Sequence, residues 1–137
     1  MTILWRPLMA VGDATVDADH QTLIELINAV ELILLAGGGR AKLATSLDQL
    51  STYAKEHFER EEGLMRHTGF GGLEHHHQAH RGLRSQLVTL RTSIETAADD
   101  ALPPEEVERL AALLRHWLLD HVFKEDMLLK PFLKSLS

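Results

Sequence analysis

The sequence contains no cysteine, which excludes disulfide bonds and thiolate metal ligands. It has only one tyrosine, and its most apolar segment, LIELINAVELILLAGGG, carries Glu25 and Glu31 and is too short to span a bilayer. The first residues lack the basic head and the long apolar stretch of a signal peptide. These absences suit a reducing compartment, and we expect a cytoplasmic protein.

Basic residues are in the minority, since 14 lysines and arginines stand against 20 acids and give a net charge of −6. A negative protein is repelled by phosphate backbones and anionic headgroups, so we expect neither nucleic acid nor a membrane as a partner. The length of 137 residues suits one hydrophobic core. We therefore treat residues 1–137 as a single domain.

Glycine and proline cluster at residues 36–40, 69–72 and 99–104, and these clusters divide the chain into four segments. Within each segment the apolar residues recur at spacings of three and four, which predicts amphipathic helices of roughly 20 residues. Short links make neighbouring helices antiparallel. The sequence predicts an all-α, up-down-up-down four-helix bundle with an N-terminal arm and a short C-terminal segment.

Histidine is unusually frequent, with nine in the chain and four in the stretch HHHQAH at residues 75–80. His76 and His80 are four residues apart and in line with the leucines that follow, so both should point into the bundle. His75 and His77 lie about 100° to either side of His76 on the helix and should face outward. We also expect His67 and His116 to be in solvent.

Several polar residues fall on the apolar faces of the four helices. They are His20, His57, Glu61, His76, His80 and His121. Burial of a neutral polar group without a partner costs about 2–7 kcal/mol, so six such groups in one core indicate a shared metal centre. Imidazole and carboxylate ligands suit iron, zinc, manganese or copper. Five histidines exceed the needs of one tetrahedral zinc, whereas two ions bridged by carboxylates would use them all.

With Asp126 added, these residues make the sequence similar to the hemerythrin family, and specifically to its stand-alone bacterial members. The resemblance runs through VDADHQTLIELIN, HFEREEGLM, HHHQAH and WLLDHVFKED, in the order His, His-x-x-x-Glu, His-x-x-x-His and His-x-x-x-x-Asp. Two departures are Phe70-Gly71, where the family often has Tyr-Pro, and Gly63 inside the second helix, which costs about 1 kcal/mol against alanine.

The resemblance implies a non-haem pair of irons with an oxo or hydroxo bridge. His20 and His57 would be terminal ligands of one iron, and Glu61 and Asp126 would bridge both. The second iron would take His76, His80 and His121 as its terminal ligands. O₂ would bind at the iron that has only two histidines. Asp126 follows His121 by five residues, which predicts a π-type widening of the last helical turns.

Residues beside the ligands have secondary expectations. Core packing, together with lining of an O₂ pocket, is predicted for Phe58, Trp117, Leu118 and Val122. Asp17 precedes His20 by three residues and would either orient that imidazole or cap the first helix.

The function implied by the resemblance is reversible O₂ binding for storage, delivery or sensing, by a protein that is not an enzyme. The alternative is a di-iron enzyme on the same ligands, such as an oxidase, a peroxidase or a nitric-oxide-handling protein. A histidine-rich site disfavours strong oxidation chemistry, and no additional base or substrate cleft stands out in the sequence.

Overall fold

The computed structural model describes residues 3–97 and 102–136, without the side chain of His121. A 3₁₀ turn (Pro7–Met9) comes first, and four helices follow: α1 (Ala14–Leu35), α2 (Arg40–Thr68), α3 (Leu73–Glu95) and α4 (Pro104–His116). The chain then continues through a π-helical segment (Trp117–Phe123), α5 (Lys124–Asp126) and α6 (Leu129–Ser135). We call the run from α4 through α5 the fourth helix. Within the residues described, no helix has both the length and the apolarity that crossing a bilayer requires.

The helix ends follow from local sequence. The carboxylate of Asp13 accepts a hydrogen bond from the backbone N–H of Val16 at 3.0 Å and so caps the start of α1. At the end of α2, Gly69 has a φ of 76°, which glycine adopts without steric strain. This turn lets Phe70 donate its N–H to the carbonyl of Met65 at 2.9 Å. α4 begins at Pro104, and proline suits the first turn of a helix because its missing N–H has no intrahelical partner there.

The four long helices form a closed ring. α1 packs against α2, α2 against α3, α3 against the π-helical segment, and α4 against α1. The links at residues 36–39 and 69–72 are four residues each, too short for anything but an antiparallel return. The predicted four-helix bundle is confirmed, including the N-terminal arm and the short C-terminal helix.

One end of this bundle is apolar and the other is polar. The apolar end is built from the later part of α1, the early part of α2, the later part of α3 and α4, with buried residues such as Leu23, Ile27, Leu47, Leu87 and Leu114. Each such side chain contributes about 1.5–3 kcal/mol on burial. Because neighbouring helices run in opposite directions, the predicted ligands at the start of α1 and α3 meet those late in α2 and in the fourth helix.

The fourth helix changes its hydrogen-bonding pattern where it reaches the polar end. Residues Trp117–Phe123 form a π-helix, which pairs residue i with residue i+5. This pairing brings positions five apart, such as 121 and 126, onto one face of the helix. The predicted widening before Asp126 is confirmed.

The N-terminal arm packs along one side of the bundle. The backbone N–H of Ile3 donates to the side-chain oxygen of Asn28 at 3.0 Å, and the Asn28 amide donates to the Ile3 carbonyl at 2.9 Å. Farther along the arm, the ring of Trp5 lies 6.4 Å from that of Phe123. The arm thereby covers the side of the bundle where α1 meets the fourth helix.

Candidate metal centre

Four of the predicted ligands form one buried cluster at the polar end. They are His20, His57, Glu61 and Asp126, and one ligand atom from each lies within 4.8 Å of the others. The Nε2 atom of His20 lies 2.6 Å from Oδ2 of Asp126. The Nε2 atom of His57 lies 3.2 Å from Oε2 of Glu61 and 3.4 Å from Oδ2 of Asp126. All four side chains are at most 1% exposed.

The two histidines of α3 approach the same carboxylates from the opposite side. The Nε2 atom of His76 lies 3.7 Å from Oε1 of Glu61 and 3.6 Å from Oδ1 of Asp126. The Nε2 atom of His80 lies 3.3 Å from Oε1 of Glu61 and 4.0 Å from Oδ1 of Asp126. Both rings are buried, as the helical register predicts.

These distances divide the oxygens of each carboxylate between two pairs of histidines. Oε2 of Glu61 and Oδ2 of Asp126 face His20 and His57, whereas Oε1 and Oδ1 face His76 and His80. A carboxylate that offers one oxygen to each of two neighbouring positions can bridge two metal ions. We call the first pair with its oxygens the α1/α2 half of the site, and the second pair with its oxygens the α3 half.

The prediction for His121 lies outside the described residues, because only the backbone of this residue is described. That backbone belongs to the π-helical segment, five positions before Asp126.

The buried atoms of the cluster fit a bound cation. Within the described part of the chain, both oxygens of Glu61, Oδ1 of Asp126 and Nε2 of both His76 and His80 are buried without a hydrogen-bond partner. Such orphaned groups carry a desolvation penalty that metal ligation removes. Nitrogen and oxygen donors without sulfur suit iron, zinc, manganese or copper.

The two central carboxyls influence each other. Burial raises the pKa of Glu61, and the charge of Asp126 raises it further. Burial also acts to raise the pKa of Asp126, but contacts with the surrounding histidines outweigh it and hold that pKa well below its usual range. The negative charge at these carboxyls favours the protonated forms of two histidines beside them, His57 and His80.

Behind His57 lies a carboxylate that the sequence reasoning missed. Asp19 is 4% exposed, and its Oδ2 lies 3.0 Å from Nδ1 of His57. Tyr53 donates its hydroxyl to Oδ1 of Asp19 at 2.8 Å, and Arg60 donates to both oxygens at 2.9 Å. Burial lowers the pKa of His57, but the neighbouring carboxylates of Asp126, Asp19 and Glu61 outweigh it and raise that pKa to about 11.

Behind His80 lies a second missed carboxylate, on the surface side. Oε2 of Glu62 lies 2.9 Å from Nδ1 of His80, and its Oε1 lies 2.7 Å from Nδ1 of the exposed His77. Burial lowers the pKa of His80, but the neighbouring carboxylates of Asp126, Glu61 and Glu62 outweigh it and raise that pKa to about 9. The only sequence signal for Glu62 is its position next to Glu61.

The histidines predicted to lie outside the site are exposed. His75 and His77 are on the outer face of α3, and His67 and His116 are also exposed. His75 contacts Glu125 at 2.7 Å and His116 contacts Asp120 at 2.6 Å. The register predicted for HHHQAH is therefore confirmed.

Apolar side chains enclose the cluster. The ring of Phe58 stacks on that of His80, with centroids 4.1 Å apart and an interplanar angle of 8°. The ring centroid of Trp117 lies 6.3 Å from that of Phe58. Its indole N–H donates a hydrogen bond of 2.9 Å to the carbonyl of Leu83. Leu118 and Val122 are at most 1% exposed. Core packing of the four predicted residues is confirmed.

Two further rings against the site were not predicted. Phe123 meets His20 edge-on at 4.9 Å, and Phe70 meets His76 edge-on at 5.7 Å.

Neither role predicted for Asp17 is found. Its carboxylate accepts the backbone N–H groups of Val11 at 2.7 Å and Gly12 at 3.3 Å, so it fastens the N-terminal arm to α1. Asp13 caps the helix instead. The prediction was wrong because the sequence alone does not show that the arm folds back onto the first turn of α1.

Comparison with known proteins agrees with this geometry. Residues 11–133 match the family model described as the hemerythrin HHE cation binding domain. Bacteriohemerythrin of Stenotrophomonas maltophilia (strain R551-3) is 23% identical over 124 residues, covering 90% of this chain and 76% of the relative. Bacteriohemerythrin of Ralstonia nicotianae is 28% identical over 131 residues, covering 96% and 88%.

A solved structure of wild-type hemerythrin shares the fold, with a TM-score of 0.80, 23% identity, and coverage of 96% of this chain and 97% of that one. Because the family model spans residues 11–133 and the bundle matches that of hemerythrin, this chain belongs to the hemerythrin family.

Proposed function

We propose that this chain stores, delivers or senses O₂. As a hemerythrin, it binds O₂ at a non-haem di-iron site and is an oxygen-binding protein rather than an enzyme. We also propose that the protein is cytoplasmic, that it binds neither nucleic acid nor membranes, and that residues 1–137 form a single domain.

The proposed ligands are divided between two irons, one in each half of the site. His20 and His57 would hold one iron. His76, His80 and His121 would hold the other, and Glu61 and Asp126 would contribute to both. The observation that carries this proposal is that each of the two buried carboxylates turns one oxygen toward each pair of histidines. For His121 the support is its backbone position, in a π-helix that brings positions 121 and 126 to one face.

The bound irons supply the electrons that O₂ binding requires, one from each ion. The chain supplies the enclosure, in which Phe58, Trp117, Leu118 and Val122 are proposed to line the O₂ pocket. These side chains are all at most 2% exposed, so they exclude water from the side of the site that they cover. Exclusion of water slows the side reactions that would leave the irons oxidised.

The alternative of a di-iron enzyme gains no support. Among the described residues, the buried titratable groups around the cluster are accounted for as proposed ligands or as hydrogen-bonding partners of ligands.

The decisive experiment is anaerobic reconstitution with Fe(II), followed by an optical O₂ titration and removal of O₂ under vacuum. We expect a pair of irons per chain and a spectrum that reverses. The zinc-loaded protein is the control, because zinc has no redox chemistry and should give no O₂ response. Rapid turnover of a substrate, with no reversible spectrum, would instead support an enzyme.

A further inference from the structure

Asp19 is a buried carboxylate of α1 that lies outside the proposed ligand set. Tyr53 and Arg60 of α2 donate hydrogen bonds to it, and Nδ1 of His57, also on α2, lies 3.0 Å from its Oδ2. Positions 53, 57 and 60 are spaced by four and three residues, so all three side chains emerge from one face of α2. Arg60 also lies over the ring of Tyr53, with its guanidinium carbon 5.4 Å from the ring centroid.

We propose that Asp19, locked by Arg60 and Tyr53, is a positioning residue that sets the tautomer and donor strength of His57, and through them the O₂ affinity. This proposal rests on the function proposed above, since it assigns His57 to the iron that binds O₂. Neither the family match nor the similarity to known hemerythrins assigns this role to Asp19.

The tautomer follows from what each partner can donate. Arg60 is a permanent cation that can only donate hydrogen bonds, and it donates to both oxygens of Asp19 at 2.9 Å, while Tyr53 donates to one of them at 2.8 Å. Both oxygens of Asp19 are therefore acceptors, so Nδ1 of His57 must carry the proton. The lone pair available to a metal is then on Nε2, the atom that lies 3.2 Å from Oε2 of Glu61.

Donor strength follows from the charge behind the ring. A carboxylate that accepts the Nδ1 proton makes the imidazole a stronger electron donor at Nε2 and holds the ring in one orientation. Arg60 holds Asp19 in place through two hydrogen bonds of 2.9 Å. Stronger donation stabilises the oxidised iron, and O₂ binding draws electron density from iron. Asp19 should therefore lower the reduction potential and raise the O₂ affinity.

The other described histidines of the cluster lack this arrangement. Nδ1 of His20 and Nδ1 of His76 are buried without a hydrogen-bond partner in the described part of the chain. His80 has Glu62 behind it, but the second oxygen of Glu62 is taken by the exposed His77 and not by an arginine. Of the four described histidines, only His57 has a carboxylate that is itself fixed by a permanent cation.

The test uses Asp19→Asn, which preserves shape and can still accept from Nδ1 but removes the charge. Asp48→Asn is the matched control, because Asp48 also accepts hydrogen bonds from an arginine, Arg91, at both of its oxygens. The two distances are 3.0 and 3.4 Å, and none of the hydrogen bonds described for Asp48 involves a histidine. We expect Asp19→Asn to keep the iron pair, to raise the reduction potential and to weaken O₂ binding roughly tenfold. Asp48→Asn should match the wild type in all three.

A second readout does not depend on O₂ chemistry. In the zinc-loaded protein, which is diamagnetic, ¹H–¹⁵N NMR should show the His57 Nδ1 proton downfield and protected from exchange with water. In Asp19→Asn this signal should move upfield and exchange faster. The wild type could fail to bind O₂ while the His57 signal still differs in this way between the wild type and Asp19→Asn. In that case the proposed function fails and the positioning role of Asp19 stands.

Arg60→Gln keeps the proposal testable if Asp19→Asn loses iron. This variant retains the carboxylate but removes its cation, and we expect a smaller shift of potential and O₂ affinity in the same direction. A loss of thermal stability in both variants, with an unchanged potential, O₂ affinity and His57 signal, would overturn the proposal and leave Asp19 a purely structural residue.

Discussion

The two halves of the candidate metal centre are built from the same residue types but are supported differently. In the α1/α2 half, the carboxylate behind the ligand is Asp19, whose side chain is 6% exposed and is tied to α2 by Arg60 and Tyr53. In the α3 half, the carboxylate is Glu62, whose side chain is 12% exposed and is shared with an exposed histidine, His77. One half is therefore supported by a carboxylate that an arginine and a tyrosine hold, and the other by a carboxylate that a second histidine shares.

This difference shows that a nearly symmetric ligand set can hold two inequivalent metal positions. The central carboxylates do not distinguish the halves, because each offers one oxygen to either side. What distinguishes them is the hydrogen bonding one layer farther out, which ligand spacing along the sequence does not encode. The following predictions test how independent the two halves are.

The largest effect is expected from Glu61→Ala, because Glu61 belongs to both halves. Both irons should be lost and the melting temperature should fall, since metal binding and folding are coupled. Iron analysis and thermal unfolding measure these two changes. Glu59→Ala, which removes an exposed glutamate from the same helix, is the control and should retain the iron pair. Retention of one iron in Glu61→Ala would show that the halves are independent sites.

The next effect separates the buried from the exposed histidines of the α3 half. His76→Ala should lose iron, because its Nε2 faces both bridging carboxylates at 3.6–3.7 Å. The double change of His75 and His77 to alanine should leave iron content and the optical spectrum unchanged, because both rings are exposed. Iron content and absorption spectra of the two variants give the answer. The reverse pattern would contradict the helical register on which the ligand assignment rests.

We call Phe58, Trp117, Leu118 and Val122 the apolar wall of the site, and we expect substitutions in it to change a rate. Leu118→Ala and Val122→Ser should speed autoxidation in air without changing iron content, because each admits water beside the irons. Decay of the optical spectrum of the O₂-bound protein measures the rate. Leu87→Ala is the matched control for Leu118→Ala, because it opens a cavity in the apolar end of the bundle. Each of these two changes should lower the free energy of unfolding by about 2–5 kcal/mol.

Equal autoxidation rates in the wild type and in both wall variants would remove Leu118 and Val122 from the wall. Faster decay in Leu87→Ala as well would mean that general loosening of the bundle, and not local access of water, controls the rate.

The smallest effect, on the free energy of unfolding, is expected at Gly63, which follows Glu62 in α2. Gly63 lies inside α2, and a Cβ added there would meet nothing within 4 Å. Gly63→Ala should therefore stabilise the protein by about 1 kcal/mol through helix propensity, with iron content unchanged. Denaturant unfolding measures the gain. Gly69→Ala provides the contrast and should destabilise, because its φ of 76° strains any residue with a Cβ.

The bundle and the inward-facing residues could be predicted from sequence, because helical periodicity determines which face is apolar. His76 and His80 were separated from His75 and His77 in this way, and the structure agrees. Even the π-helix before Asp126 was predictable, since a spacing of five does not fit one face of an α-helix.

The supporting carboxylates could not be predicted, because their roles depend on contacts between helices. Asp19 reaches His57 across 38 positions, and Glu62 reaches His77 across 15. Periodicity gives the face of each helix but not the rotation of one helix against the next. Asp17 was misassigned for the same reason, because its partners, Val11 and Gly12, lie in the arm that precedes the helix.

The π-helical segment has a consequence for anyone who wishes to redesign the scaffold. An ideal α-helix turns by about 100° per residue, whereas a π-helix takes up an additional residue per turn. A designer who replaced Trp117–Phe123 with uniform α-helix of equal length would rotate every later residue away from its present direction. Asp126 and the fully buried Leu129 would then leave the interior together. Conversion of this helix to ideal geometry therefore requires the deletion of one residue before Asp126.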